Sequence, residues 1–206
     1  MSSKIIIIAI ATMFITDIIN AQTEQNIPQG KHYLGTHYLL GTCNYHNRSF
    51  GVGLSKEYDG TSYYGSGVDY RYRYSEKNEL CLGIRATVNK MTSTSSHRSR
   101  SGKTGDVLYI FSLPIHFRHH FFQYFFISGG PCVNIHSNMG YNWGIGLEAT
   151  AGLEHTFKSG LTLSISPMGQ WNWLNFLGAE DSFSVGMDTL SQVGLNIGLG
   201  YRFGKK

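Results

Sequence analysis

Three histidines stand close together at His116, His119 and His120, and a fourth, His136, is followed directly by Ser137. Imidazole is the commonest general base and a frequent metal ligand, so chemistry is sought here first. A serine nucleophile needs its base within hydrogen-bond reach. Adjacent residues on an extended strand point to opposite faces, so His136 and Ser137 cannot form that bond if this stretch is a strand. His119 and His120 fall in an expected tight turn at 119–122, where histidines are ordinary solvated side chains. No glycine-rich phosphate loop and no nucleophile elbow occurs. The expectation is a chain with no catalytic residues, no metal site and no cofactor.

A second set of polar groups is spread along the chain: Asp69, Arg71, Arg73, Arg85, His116, Arg118, Glu148, Glu154 and Arg202. Each occupies the parity opposite a run of apolar residues. In 193–203, Val193, Leu195, Ile197, Leu199, Tyr201 and Phe203 alternate with Gly194, Asn196, Gly198, Gly200 and Arg202. A period of two places these sets on opposite faces of a strand. An apolar face that ends in aromatics suits lipid. The charged and glycine-rich face must then line an interior, where both signs of charge allow pairing.

The same alternation recurs in 49–58, 61–74, 79–91, 106–118, 123–136, 141–157 and 161–174, which with 193–203 makes eight segments. Asp59-Gly60, Glu76-Lys77-Asn78, 119–122 and Lys158-Ser159-Gly160 read as tight turns. Longer polar loops are expected at 92–105 and 175–188, and a loop at 137–140. Short turns on one side and long loops on the other are the habit of outer-membrane barrels, and an even strand count puts both ends on the periplasmic side. The fold expected is all-β: an eight-stranded antiparallel up-and-down transmembrane β-barrel over 49–203. Residues 22–48 form a lead-in, within which 33–45 alternates poorly and could supply an extra strand. A soluble sandwich or lipocalin-like barrel would want apolar residues inside and polar ones outside.

Composition agrees. The 206 residues hold 25 glycines, 14% aromatic and only 15% charged residues, against a usual charged quarter. A mean hydropathy of −0.17 does not suit a bundle of membrane helices. The net charge of +4 is modest and dispersed, which argues against a nucleic-acid partner. Lys4, the apolar run Ile5–Ile15 and Asn20-Ala21-Gln22 have the form of a cleaved signal peptide over 1–21. Cys43, Cys81 and Cys132 are odd in number and match no metal spacing. Cys81 and Cys132 fall on strands that are not neighbours, too far apart for a bridge.

An eight-stranded barrel has room inside only for side chains, so the nine polar residues are expected to plug it. Tyr70, Tyr72, Tyr201 and Phe203 lie near periplasmic strand ends, and Tyr109, Trp143, Trp171 and Trp173 near external ends. Together they form an aromatic girdle at headgroup level. The run Phe111-Ser112-Leu113-Pro114-Ile115-His116-Phe117, then Phe125-Phe126-Ile127-Ser128-Gly129-Gly130-Pro131, and the closing Gly200-Tyr201-Arg202-Phe203 resemble the PorT-type outer-membrane β-barrel proteins of Bacteroidota. The likeness covers about 49–203, after a leader ending Asn20-Ala21-Gln22. The general fold is similar to the transmembrane domain of OmpA, without a periplasmic peptidoglycan-binding domain after the barrel. Ile135-His136-Ser137-Asn138 faintly resembles the His-x-Ser-Asn of outer-membrane lipid A deacylases.

These resemblances imply an outer-membrane protein with a structural or surface-interaction role. The partners expected are outer-membrane lipid and lipopolysaccharide, the assembly machinery reading the terminal Phe203, and an unidentified surface ligand or protein. Lys90, Arg98, Arg100 and Lys103 make the 92–105 region cationic, which suits anionic lipopolysaccharide. The alternatives are a narrow pore, a soluble exported β-protein binding a small ligand, and a lipid A-modifying acyl hydrolase.

Overall fold

The alternation resolves into eight strands: β1 (His32–His46), β2 (Lys56–Arg73), β3 (Asn78–His97), β4 (Arg100–His120), β5 (Phe125–Ser137), β6 (Tyr141–Thr156), β7 (Leu161–Leu177) and β8 (Asp188–Phe203). The structure, a computed structural model, describes residues 30–46, 56–97, 100–121, 124–137, 141–177 and 188–204. Every strand pairs antiparallel with its sequence neighbour, and β8 returns to β1, so the sheet is a closed barrel. Closure removes the edges that an open sheet would leave unpaired. The seam runs from His32↔Phe203 to His46↔Thr189.

The strand count is as expected, but the first strand is not. The barrel begins at His32, because the poorly alternating stretch 33–45 is β1 itself, not an addition to eight others. The expected strand at 49–58 falls mostly on 47–55, outside the described residues, and Lys56–Tyr58 belong to β2. Asp59-Gly60 is not a turn. It lies inside β2, where the register with β3 slips between Gly60 and Ser62, so the slip absorbs what looked like a hairpin. The loop expected at 92–105 is also largely strand, since β3 and β4 stay paired out to His97↔Arg100. The signal peptide expected at 1–21 and the centre of the expected loop, 178–187, lie outside the described residues.

The turns at the other end are short. Residues 74–77 join β2 to β3, and 157–160 join β6 to β7. Gly160 adopts φ +93° there, a conformation that only glycine takes freely. His119 and His120, expected in a turn, instead finish β4. Pro114 and Pro131 interrupt the ladders of β4. Pairing with β5 is missing between Pro114↔Cys132 and Phe117↔Gly129, as expected where a strand residue has no N–H to donate.

Candidate functional site

Parity decides where each side chain goes, and the lipid-facing set is as the alternation required. Leu34, Val68, Ile84, Phe111, Leu147, Ile165, Ile197 and Leu199 are exposed on the outside of the barrel. The girdle residues Tyr70, Tyr72, Tyr201 and Phe203 are exposed at the end holding the chain termini, and Tyr109, Trp143 and Trp171 toward the other. Trp173 is half-buried. His32, unforeseen in the girdle, packs its ring 5.7 Å from Phe203 and 5.5 Å from Tyr72.

All nine polar residues singled out above face inward; eight of them join one network with Glu79 and His37, which were not singled out, and His116 stands beside it with Nε2 3.9 Å from Glu148 and no hydrogen-bond partner. At the end holding the chain termini Glu79, completely buried, accepts from Arg73 Nε at 2.9 Å, and its Oε1 is ion-paired with Arg202 Nη1 at 2.8 Å. Glu154 is the hub. It accepts from Arg71, from Arg118 Nη1 at 2.6 Å and from Arg202 Nη2 at 3.1 Å. Arg71 Nε donates to Asp69 at 2.6 Å. Arg71 also stacks 3.7 Å over the Tyr33 ring, and Arg118 lies 3.8 Å over Phe126. Tyr33 fits because Gly35 and Gly200 flank it: a Cβ on either would come within 2.1 or 2.4 Å of the ring.

One step farther in, Arg85 grips Glu148 with Nη1 at 2.5 Å and Nη2 at 3.1 Å. Its Nε lies 3.2 Å from His37 Nε2, and His37 Nδ1 lies 3.3 Å from Asp69. Arginine can only donate, so His37 accepts at Nε2 and donates from Nδ1 to the carboxylate. His37 therefore couples the Glu148–Arg85 pair to the Asp69–Arg71–Glu154 group. Among the described residues the inward charges are Arg71, Arg73, Arg85, Arg118 and Arg202 against Asp69, Glu79, Glu148 and Glu154. Near-balance is what a low-dielectric interior demands, because an unpaired buried charge is strongly destabilising. A void of about 40 Å³ beside His116, Arg118 and Asn196 has room for about three waters at ~10–15 Å³ each.

Amides form the next layer. Gln170 Nε2 and Asn134 Nδ2 each donate to Asn172 Oδ1 at 2.8 Å, and Gln192 Nε2 donates to Asn89 Oδ1 at 2.6 Å. Beyond them the interior changes character. Leu39, Cys43, Tyr45, Tyr63, Met91, Leu108, Ile110, Met168, Leu174 and Leu190 form one buried apolar cluster in the external half of the lumen. The expected polar plug thus fills the lumen from the end holding the chain termini to its middle, and among the described residues a hydrophobic core follows it. Outside that core the wall becomes polar, with Thr42, Asn44 and Lys90 exposed. The strands therefore exchange their two faces as they leave the lipid-facing band.

Catalytic readings find no support in this geometry. His136 points inward and is 3% exposed, and neither of its ring nitrogens has a hydrogen-bond partner. His120 is not a solvated turn residue, since its Nε2 lies 3.5 Å from Glu79. Glu79, His120 and Glu154 approach one another closely enough to hold a metal ion. However, the carboxylates are already engaged by Arg71, Arg73, Arg118 and Arg202, whose charges oppose a cation. All three cysteines are free and buried.

Glu79 and His37 were missed for different reasons. Glu79 shares the inward parity of Cys81 and Arg85 but is only the second residue of its strand, directly after Asn78, which reads as part of the turn. His37 lies in β1, where alternation is obscured.

No family model matches the chain, and no curated protein matches it. Among solved structures it is similar to the outer membrane protein OprG from Pseudomonas aeruginosa, at 11% identity and TM-score 0.42, covering 82% of this chain and 95% of that one. It is similar to the outer membrane protein AlkL at 11% identity and TM-score 0.46, covering 89% and 96%. The E. coli outer membrane protein W aligns at 14% identity and TM-score 0.35, covering 84% and 98%. The barrel described here rests on its own strand pairing, independent of these distant matches.

Proposed function

We propose that this chain is an exported, non-enzymatic outer-membrane β-barrel with a closed lumen, acting through its outer surface and external strands. The observation that carries this reading is the occupied interior. A continuous Arg–carboxylate–amide network crosses the periplasmic and middle lumen, and a buried, mainly apolar cluster lies above it. Ions would have to displace charge-assisted hydrogen bonds and then cross a layer with nothing to solvate them. The exposed apolar band with an aromatic rim at each end supports the membrane setting. Export through the leader at 1–21 and recognition of Phe203 during assembly belong to the same reading. They predict a mature N-terminus near Gln22 and failed assembly on deletion of Phe203.

Planar-bilayer recording on the purified full-length protein tests the closed lumen. Quiet membranes at high protein load are expected. Steady single-channel openings would overturn the closed-lumen reading in favour of a narrow pore.

A further inference from the structure

We infer that the void in the middle of the lumen is a halide site, occupied by chloride as the counter-ion of Arg118; this rests on the closed-lumen reading above. The charges around the void do not cancel. Among the described residues its lining carries three guanidiniums, Arg71, Arg85 and Arg118, against two carboxylates, Asp69 and Glu148. The shell behind is even, with Arg73 and Arg202 against Glu79 and Glu154. One positive charge is left over. The histidines do not remove it. His37 accepts from Arg85 at one nitrogen while the other faces Asp69, so it is neutral. Protonation of His116, also in the lining, would only add to the excess.

Hydrogen bonding locates the surplus at Arg118. Arg71 and Arg202 each reach two carboxylates, and Arg85 holds Glu148 with both terminal nitrogens. Arg118 reaches one carboxylate, Glu154, through Nη1, and shares it with Arg71 and Arg202. Its Nε is buried without a hydrogen-bond partner, and the residue is only 9% exposed. A guanidinium so placed has lost its hydration without full replacement, which is costly.

The strands supply the rest of the site. Across β4, β5 and β6 the register sets Arg118 beside Ser128 and Ser128 beside Thr150. Across β7 and β8 it sets Ser166 beside Asn196. All five line the void. The Ser128 and Thr150 hydroxyls lie 3.1 Å apart, so one donates to the other and the second proton is left for another acceptor. Asn196 has a buried amide oxygen with no partner; turned end for end, the amide offers N–H instead. Water alone would fill this space and leave its charge unbalanced. Room for about three waters admits a halide with water beside it and is small for a tetrahedral oxyanion.

The test refolds the full-length chain from urea into detergent micelles in sodium chloride, sodium bromide or sodium gluconate at equal ionic strength. Gluconate is too large for the void. The parent's urea midpoint is expected to be higher in either halide, because a ligand of the folded barrel raises its stability by mass action. Crystals grown in bromide should show an anomalous peak beside Arg118. Asn196→Asp places a fixed negative charge in the lining. In gluconate it should unfold no earlier than the parent, with no further gain from halide and no bromide peak. Arg118→Gln removes the surplus charge and should also lose the halide dependence. Equal parent midpoints in the three salts, a void without bromide in those crystals, or an Asn196→Asp chain less stable than the parent in gluconate would each overturn the inference. Planar bilayers keep the two readings apart: steady openings refute the closed lumen, whereas quiet membranes without halide dependence refute the halide site alone.

Discussion

Ile197 and Ser191 lie on the same outward face of β8, yet they belong to two different kinds of protein surface. Around Ile197 the outside is apolar and the inside is Asn196, Gly198 and the salt-bridged Arg202. At Ser191 the outside combines a half-buried serine with Asn44 of β1 and the girdle residue Trp171 of β7, and the inside is Leu190, completely buried against its cluster. One closed sheet thus obeys membrane rules over part of its height and water-soluble rules over the rest. Solvent explains the difference. Lipid accepts apolar side chains and leaves the polar ones to pair inside. Where water surrounds the wall, burial of apolar surface must again be internal.

The two regions should fail differently. The largest effect is expected in the charged tier, where Glu154→Leu strips one carboxylate from Arg71, Arg118 and Arg202. Breaking such a buried group costs about 3–5 kcal/mol, to be read from urea unfolding in lipid. In the apolar tier Leu190→Ala removes a fully buried side chain and should cost about 2–5 kcal/mol through the cavity left behind. It should do so without engaging the charges, so the double variant with Glu154→Leu should be additive. A coupling well above ~0.5 kcal/mol would merge the two tiers into one unit.

On the outside the contrast is between positions. Ile197→Arg places a charge in the lipid-facing band and should cost about 2–4 kcal/mol, whereas Ser191→Arg should cost about 0–1. Leu195→Arg should resemble Ile197→Arg. Equal penalties at Ile197 and Ser191 would dissolve the boundary between the regions. Gly200→Ala drives a methyl into the Tyr33 ring, with 2.4 Å to its nearest atom. About 1–3 kcal/mol is expected from overpacking, and Tyr33→Leu in the same chain should relieve part of it.

This division also explains what could be read from the chain beforehand. Between Tyr63 and Phe203 the lipid-facing parity is plain, because each strand has one consistently apolar face through the band. Asp69, Arg71, Arg85, Glu148 and Glu154 follow from parity alone. β1 hides itself because it crosses the boundary: Leu34, Tyr38 and Leu40 are exposed outside, while Tyr33, Leu39 and Tyr45 are buried inside. With apolar residues on both parities no alternation survives, and a strand of the barrel looks like a lead-in. The β3–β4 extension fails the same criterion from the other direction, since neither of its faces requires apolar residues. Asp59-Gly60 shows the limit of local turn signals, because pairing with Met91 and Thr92 on β3 holds these residues extended. The His37 bridge between Asp69 and Arg85 depends on the register of three neighbouring strands, with His37 and Arg85 meeting over Gly67, which spacing along one strand cannot reveal.

Site-specific labelling tests the exchange of faces most directly. Ile197→Cys and Ser191→Cys, each in the otherwise native chain whose own cysteines are buried, are treated in lipid vesicles with a water-soluble maleimide. In parallel, each cysteine is labelled in detergent with a fluorophore, reconstituted and exposed to brominated lipid. Ser191→Cys should react with the maleimide and its fluorophore should escape quenching, while Ile197→Cys should resist the maleimide and be quenched. Reaction of both cysteines with the maleimide, or quenching at both, would contradict the account.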